Sequence, residues 1–281
     1  MILVTGATGH IGRELVRELD ERGVTFRILV RDPQRAADLP ARAERVVGDL
    51  DDPSSLAPAF AGVDKLFLLT QGIDTARTAH ALAAATKVRH IVSLSSFHVV
   101  MDPLPAMGRW HYEREEMVKA SGIPATFLRP GGFTTNALDW LPTIREGGYV
   151  LDPVSPGRYA PIDPADIAAV AALVLTEDGH QGQAYVLTGE EMLSVPEQVA
   201  MLSGATGLDL NVRVPAAPDE IVRARFPRGA PPALADAITQ GFASMRRGGA
   251  ELRTDTVERL LGRKPRGFAD WCARNAAAFL G

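Results

Sequence analysis

The chain has a single cysteine, Cys272. No disulfide framework and no cysteine-based zinc site can therefore form within one copy, and a reducing compartment fits. The first residues, MILVTGATG, lack a basic segment followed by an apolar stretch, so they do not read as a secretory signal. Long apolar runs are missing too, since the longest, about residues 167–175, is far short of a membrane span. Neither sign of charge dominates. Lys and Arg number 30 against 34 Asp and Glu, a formal net charge of −4, which argues against a general nucleic-acid binder. The short basic group Arg263, Lys264 and Arg266 reads as a solvated face or a helix end. No histidine–carboxylate grouping has metal-ligand spacing, and no nucleophile elbow supports a Ser-His-Asp arrangement. A cytoplasmic protein acting on a small molecule, without metal, membrane or nucleic acid, is what these absences leave. Association into a homodimer stays open.

What is present is an alternation of short apolar runs with helix-length segments. Strands are predicted at 2–5, 25–30, 45–47, 65–69, 90–94, 125–129 and 184–187. Between the first two, Ile11, Leu15 and Leu19 recur every four residues, the stripe by which a helix lies on a sheet. Similar helices are expected at 53–60, 74–87, 107–120 and 164–175. Strands separated by helices need crossover connections and hence a parallel sheet. The fold class is α/β, a Rossmann-type doubly wound sheet. After about Thr188 the pattern changes: Ser194-Val195-Pro196-Glu197 is a capping box, residues 211–214 are a further short strand, and helices fit 219–226, 232–247, 256–261 and 268–280. The chain thus divides, in expectation, into a dinucleotide-binding domain at 1–188 and a small, mostly helical substrate-binding cap at 189–281, with contributions from 131–160.

The chemistry starts at Thr5-Gly6-Ala7-Thr8-Gly9-His10-Ile11-Gly12, directly after the first strand and leading into a helix. Gly6 suits a tight turn, Gly9 lets backbone approach a pyrophosphate, and Gly12 lets helix and strand pack closely. Gly6, Thr8, Gly9, His10, Ile11 and Gly12 are the candidate phosphate-binding residues, at the positive end of the helix. The second strand ends in Val30-Arg31-Asp32-Pro33. Arg31 could grip a 2′-phosphate by a charge-assisted bond, favouring NADP, while Asp32 leaves NAD open. Asp49 and Leu50 close the third strand where adenine is expected. Thr70 and Gln71 follow the fourth, near the middle of the cofactor.

In this order TGATGHIG, VRDP, VVGDLDD, VSLSS and SGIPATFLRPGGFTTN resemble the NmrA-like branch of the atypical short-chain dehydrogenases/reductases, and YAPIDPADIAAVAALVL, AYVLTGEE and LLGRKPRGFADWCARNAAAF extend the resemblance over nearly the whole chain. That branch includes NAD(P)H-dependent quinone oxidoreductases, isoflavone-reductase-like enzymes and non-catalytic NADP-sensing regulators. Ordinary short-chain reductases use a tyrosine and a lysine four residues apart. Here Tyr112 is followed at that distance by Glu116, and none of the other tyrosines has lysine there. The dyad is absent, and Tyr112 is expected to pack. On the same helix His111 and Glu115 share a face. Glu115 could orient the imidazole and raise its pKa, making a proton donor near neutral pH; a plain helix-stabilising pair is the alternative. The resemblance places His111 where isoflavone-reductase-like members carry a functional lysine. Ser96, at the end of the fifth strand, could hydrogen-bond a substrate oxygen, and His98 is a further polar neighbour. Pro130 and Phe133, flanking two glycines after the sixth strand, are expected beside the nicotinamide. Two functions follow: an NADPH-dependent oxidoreductase passing hydride to a small quinone, enone, imine or ketone, or a non-catalytic NADP(H)-sensing regulator.

Overall fold

The computed structural model describes residues 1–70, 73, 75–217 and 219–281. In chain order it contains β1 (Ile2–Val4), α1 (His10–Glu21), β2 (Phe26–Val30), β3 (Glu44–Val47), α2 (Ala57–Phe60), β4 (Lys65–Leu68), α3 (Ala76–Ala84), β5 (His90–Leu94), α4 (Ala106–Ala120) and β6 (Ala125–Pro130). There follow α5 (Leu141–Gly147), β7 (Tyr149–Leu151), α6 (Pro164–Thr176), β8 (Ala184–Leu187), α7 (Val195–Thr206) and β9 (Asn211–Arg213). The chain ends in α8 (Glu220–Arg225), α9 (Pro232–Arg246), α10 (Thr256–Leu261), α11 (Phe268–Asn275) and α12 (Ala277–Leu280). No helix among the described residues is long and apolar enough to cross a membrane.

Two compact units emerge. The first comprises Met1–Val99, Gly108–Pro130 and Pro164–Val186. Its sheet has the order β3-β2-β1-β4-β5-β6-β8, parallel from β3 through β6. At β8 the hydrogen bonds Gly182 N–H to Ala125 O and Phe127 N–H to Gln183 O advance together along both chains, so this neighbour is parallel too. This is the expected doubly wound sheet. Residues such as Leu3, Val4, Ile28, Leu66, Phe67, Ile91 and Val92 are buried in it, as strands covered on both faces require. Helix α1 buries Ile11, Gly12, Leu15, Val16 and Leu19 and packs on α6. The apolar run 167–175 proves to be α6, buried almost all round, which is why its sequence shows no polar face. Because the order reverses between β1 and β4, the segments after β1, β2, β4 and β5 gather at the carboxyl edge where such sheets bind ligands.

The second unit comprises Val100–Met107, Gly131–Asp163 and Leu187–Gly281. Its core joins Ile144, Val150, Leu202, Phe268, Trp271 and Cys272, with Trp140 packed against it. Two elements in it escaped the sequence reading. Helix α5 ends at Gly148 in the left-handed region (φ 64°), and β7 pairs with β9 through Val150 and Val212. A three-residue strand whose partner lies some sixty positions away carries no local period to detect. In the first unit, the helix expected at 53–60 is a 3₁₀ turn, Pro53–Ser55, followed by α2. Pro58 has no N–H to give to the carbonyl of the preceding turn, so one continuous helix cannot form there.

Candidate functional site

The glycine loop follows from three steric facts. Gly6 sits at φ 69°, a left-handed conformation that glycine adopts without strain. A Cβ on Gly12 would lie 2.1 Å from Gly6 O and 2.7 Å from Ala7 Cα, so the helix can approach the loop only if this position is glycine. A Cβ on Gly9 would meet only Gly6 O at 3.4 Å, leaving open space on its outer side. Gly9 N–H donates to Gly6 O at 3.0 Å, closing the turn. Gly9 is the N-cap of α1, and no side chain caps that helix. Uncapped first-turn amides at the positive helix end, beside an exposed glycine, suit a pyrophosphate. Thr8 is half-buried, His10 exposed and Ile11 buried, so Ile11 can offer a ligand only its backbone. Arg13, one turn into α1, donates to Thr8 O (3.2 Å) and Arg35 O (2.9 Å) and pairs with Asp38, tying the loop to the segment after β2. Sequence reasoning passed over Arg13, whose partners lie up to 25 residues away.

Arg31 is exposed. Asp32 uses a carboxylate oxygen to accept from Gln34 N–H at 2.9 Å, capping the 3₁₀ turn Pro33–Ala36. Asp49 similarly accepts from Asp51 N–H (3.1 Å), and its own N–H donates to Ser55 Oγ (2.9 Å). Leu50 is buried, its carbonyl 2.7 Å from His80 Nδ1. The hydrogen bond from Arg77 holds the Asp51 carboxyl below its ordinary range, with smaller contributions from Arg31 and His80. Thr70 Oγ1 lies 3.1 Å from Thr78 Oγ1. Gln71 lies outside the described residues.

At the end of β5 the two serines divide. Ser95 Oγ donates to Glu115 Oε1 at 2.6 Å, and Arg129 grips the same carboxylate through Nε (2.9 Å) and a terminal nitrogen (2.6 Å). Glu115 is 1% exposed. This corrects the expected pairing: the Glu115 carboxylate is committed to Ser95 and Arg129 and does not orient His111. The physical reason is that burial of a carboxylate demands a full set of charged and hydroxyl donors, which one imidazole on the same helix cannot supply. Arg129 was legible only as an anomaly, a charge inside the apolar strand ATFLRP.

Ser96 instead lies 2.7 Å from His98 Nδ1 and accepts from His98 N–H at 3.3 Å. His98 is half-buried, its ring 4.3 Å from that of Phe97. The pKa of His111 moves opposite to expectation. Burial, then the charges of Arg114 and His98, lower it to about 4, so His111 is neutral at neutral pH. Its Nδ1 is buried without a partner. An orphaned lone pair costs less than an orphaned N–H, so the ring proton belongs on Nε2. Tyr112 is 43% exposed and does not pack as expected. Pro130 closes β6 in the first unit. Phe133 belongs to the second, where it bridges to Ile162 and Gly132 lies under the Tyr159 ring. Among the described residues no cluster could hold a metal ion.

A family model described as NAD(P)H-binding matches residues 6–178. The chain is 39% identical to an NAD(P)H azoreductase of Xenophilus azovorans over 99% of both proteins. It is 40% identical, also over 99% of both, to a (4-alkanoyl-5-oxo-2,5-dihydrofuran-3-yl)methyl phosphate reductase of Streptomyces griseus. Among solved structures, the NADPH-dependent quinone oxidoreductase of Escherichia coli complexed with NADPH superposes with a TM-score of 0.84 at 28% identity, covering 98% of this chain and 99% of that one.

Proposed function

Because the chain belongs to the NAD(P)H-binding family, in its NmrA-like branch, we propose that it is an NADPH-dependent reductase of small quinones, enones, imines or ketones. The observation that carries this reading is end-to-end likeness, at 39% and 40% identity, to two proteins named as reductases. The loop fits the cofactor: Gly9 leaves room for phosphate oxygens, the uncapped α1 amides face that room, and Gly12 permits the close packing behind it. Arg31 binds the 2′-phosphate. Asp32, whose oxygen already caps its own turn, is less available to ribose hydroxyls, which favours NADP over NAD. Asp49, Leu50 and Thr70 line the adenosine side, and Pro130 the nicotinamide end. When bound, the reduced nicotinamide supplies a hydride.

The chain's own residues manage the oxygen that becomes negative as the substrate is reduced. Ser96 Oγ and the Nε2–H of neutral His111 donate to it. A neutral imidazole donates without carrying a proton it would readily lose, so binding is insensitive to pH near neutrality. Glu115 acts from a distance, holding Ser95 and Arg129 and thereby the end of β5. A quinone needs little protonation during hydride transfer, so the missing tyrosine–lysine pair is least costly for that class.

NADPH oxidation against a panel of quinones, enones, imines and ketones tests the proposal. Turnover with at least one class is expected, and His111→Ala should lower kcat about 10²-fold while leaving NADPH affinity within twofold. The exposed Tyr112 and the absent dyad favour a second reading, a non-catalytic NADP(H) sensor. Tight NADPH binding with no oxidation anywhere on the panel would establish that reading instead.

A further inference from the structure

The role given to Ser96 leaves its own hydrogen-bond partner, His98, unexplained. Ser96 Oγ and His98 Nδ1 are 2.7 Å apart, close to the short end for a neutral hydroxyl–imidazole contact. We infer that His98 is a positioning residue: it turns the Ser96 hydroxyl toward the substrate oxygen and relays a proton to it from solvent. The inference rests on the reductase reading above.

Three features of the pair fit a relay. Ser96 Oγ already accepts the His98 backbone N–H at 3.3 Å, which fixes the oxygen and leaves its proton as the adjustable element. The other ring nitrogen, His98 Nε2, has no partner among the described residues and is not fully sealed from solvent. Finally, a relay needs an imidazole that exchanges tautomers rather than one that stays charged. Burial is what lowers the His98 pKa to about 4.

The step balances as follows. With His98 protonated on Nδ1, the Ser96 O–H bond breaks as the bond to the anionic substrate oxygen forms. The His98 Nδ1–H bond breaks as the Ser96 O–H is restored, and Nε2 gains a proton from solvent. One proton has passed from solvent to product, Ser96 is unchanged, and His98 ends as its other neutral tautomer, which exchange with water resets. No electrons move in this step, because the two of the reduction have arrived with the hydride.

Two variants separate relay from mere structure. His98→Asn keeps a polar group near the Nδ1 position but has nothing corresponding to Nε2, and His98→Ala removes both. With NADPH and a simple ketone or enone, whose reduction needs the proton, His98→Asn should retain its melting temperature and NADPH affinity, hold KM within about twofold, and lose kcat about 10- to 100-fold. Its solvent deuterium isotope effect on kcat should exceed that of the wild type. A second readout needs neither cofactor nor turnover. In ring-nitrogen NMR of the free protein at pH 6–7, His98 should be neutral, and Ser96→Ala should shift the Nδ1 resonance. An active wild type with an unaltered His98→Asn variant overturns the relay alone, whereas a wild type that binds NADPH but never oxidises it overturns both this inference and the reading beneath it.

Discussion

Gly9 and Gly12 stand three residues apart in one loop, yet substitution should harm them in different ways. At Gly12 an added methyl would sit 2.1 Å from Gly6 O, a backbone atom with nowhere to retreat. Gly12→Ala is expected to lower the melting temperature and weaken NADPH binding together. At Gly9 the methyl meets only one atom, at 3.4 Å, so Gly9→Ala should fold normally and lose affinity at least tenfold because the methyl occupies the phosphate approach. Thermal melts paired with fluorescence titration check both, and equal melts would undo the steric argument for Gly12. Arg31 calls for a comparison of two ligands. Arg31→Ala should weaken NADPH binding about tenfold or more while leaving NADH nearly unchanged, since a charge-assisted bond to phosphate contributes roughly 1.5–3 kcal/mol. Equal losses for the two nucleotides would remove Arg31 from the 2′-phosphate site.

Helix α4 shows how one element can carry two jobs on adjacent turns. His111 keeps a buried ring nitrogen without a partner, whereas Glu115, one turn later, is sealed against Ser95 at the end of β5 and Arg129 on β6. The spacing put both residues on one face, as the sequence indicated, but a shared face did not mean a shared bond. Removing Glu115 would leave the Arg129 guanidinium, 16% exposed, without its counter-charge. Glu115→Ala is therefore expected to cost about 3–5 kcal/mol of stability, read by chemical denaturation, and Ser95→Ala less. A Glu115→Ala protein as stable as the wild type would mean that the pair is solvated in solution. On β5 and β6, the His90 ring adds a buried contact of its own, Nε2 to Thr126 Oγ1 at 2.9 Å. Thr126 gives its hydroxyl proton to His180 O at 2.6 Å, so it must accept from His90 Nε2–H. That leaves His90 Nδ1 bare and buried without a partner.

Across the whole molecule these imidazoles set an acid limit. Burial, followed by the charges of Lys65 and His180, lowers the His90 pKa from 6.5 to about 4, and His98 and His111 move the same way. Each binds a proton more readily once unfolded. Between pH 6.5 and 4 the unfolded chain therefore takes up more protons, and stability should fall as pH falls, by up to about 1.4 kcal/mol per pH unit for each histidine. Denaturation midpoints measured from pH 7.5 to 4.5 should show this slope, and His90→Gln should flatten it; a flat wild-type profile would contradict the neutral-histidine assignment. Much of the scaffold was legible from the residues alone. The period-2 and period-3.6 runs, the three spaced glycines and the capping box at Ser194 are local signals, and local signals specify β1–β6, β8, most of the helices and the phosphate loop. The β7–β9 pairing was not legible, because it depends on distant chain, whereas the break at Pro58 has a local cause that the apolar pattern alone passed over. Which partner takes Glu115 and whether His111 is charged were decided only by tertiary structure. Hydrogen-bond partners and burial are properties of what packs around a side chain, and for these residues the neighbours come from strands and helices distant in the chain.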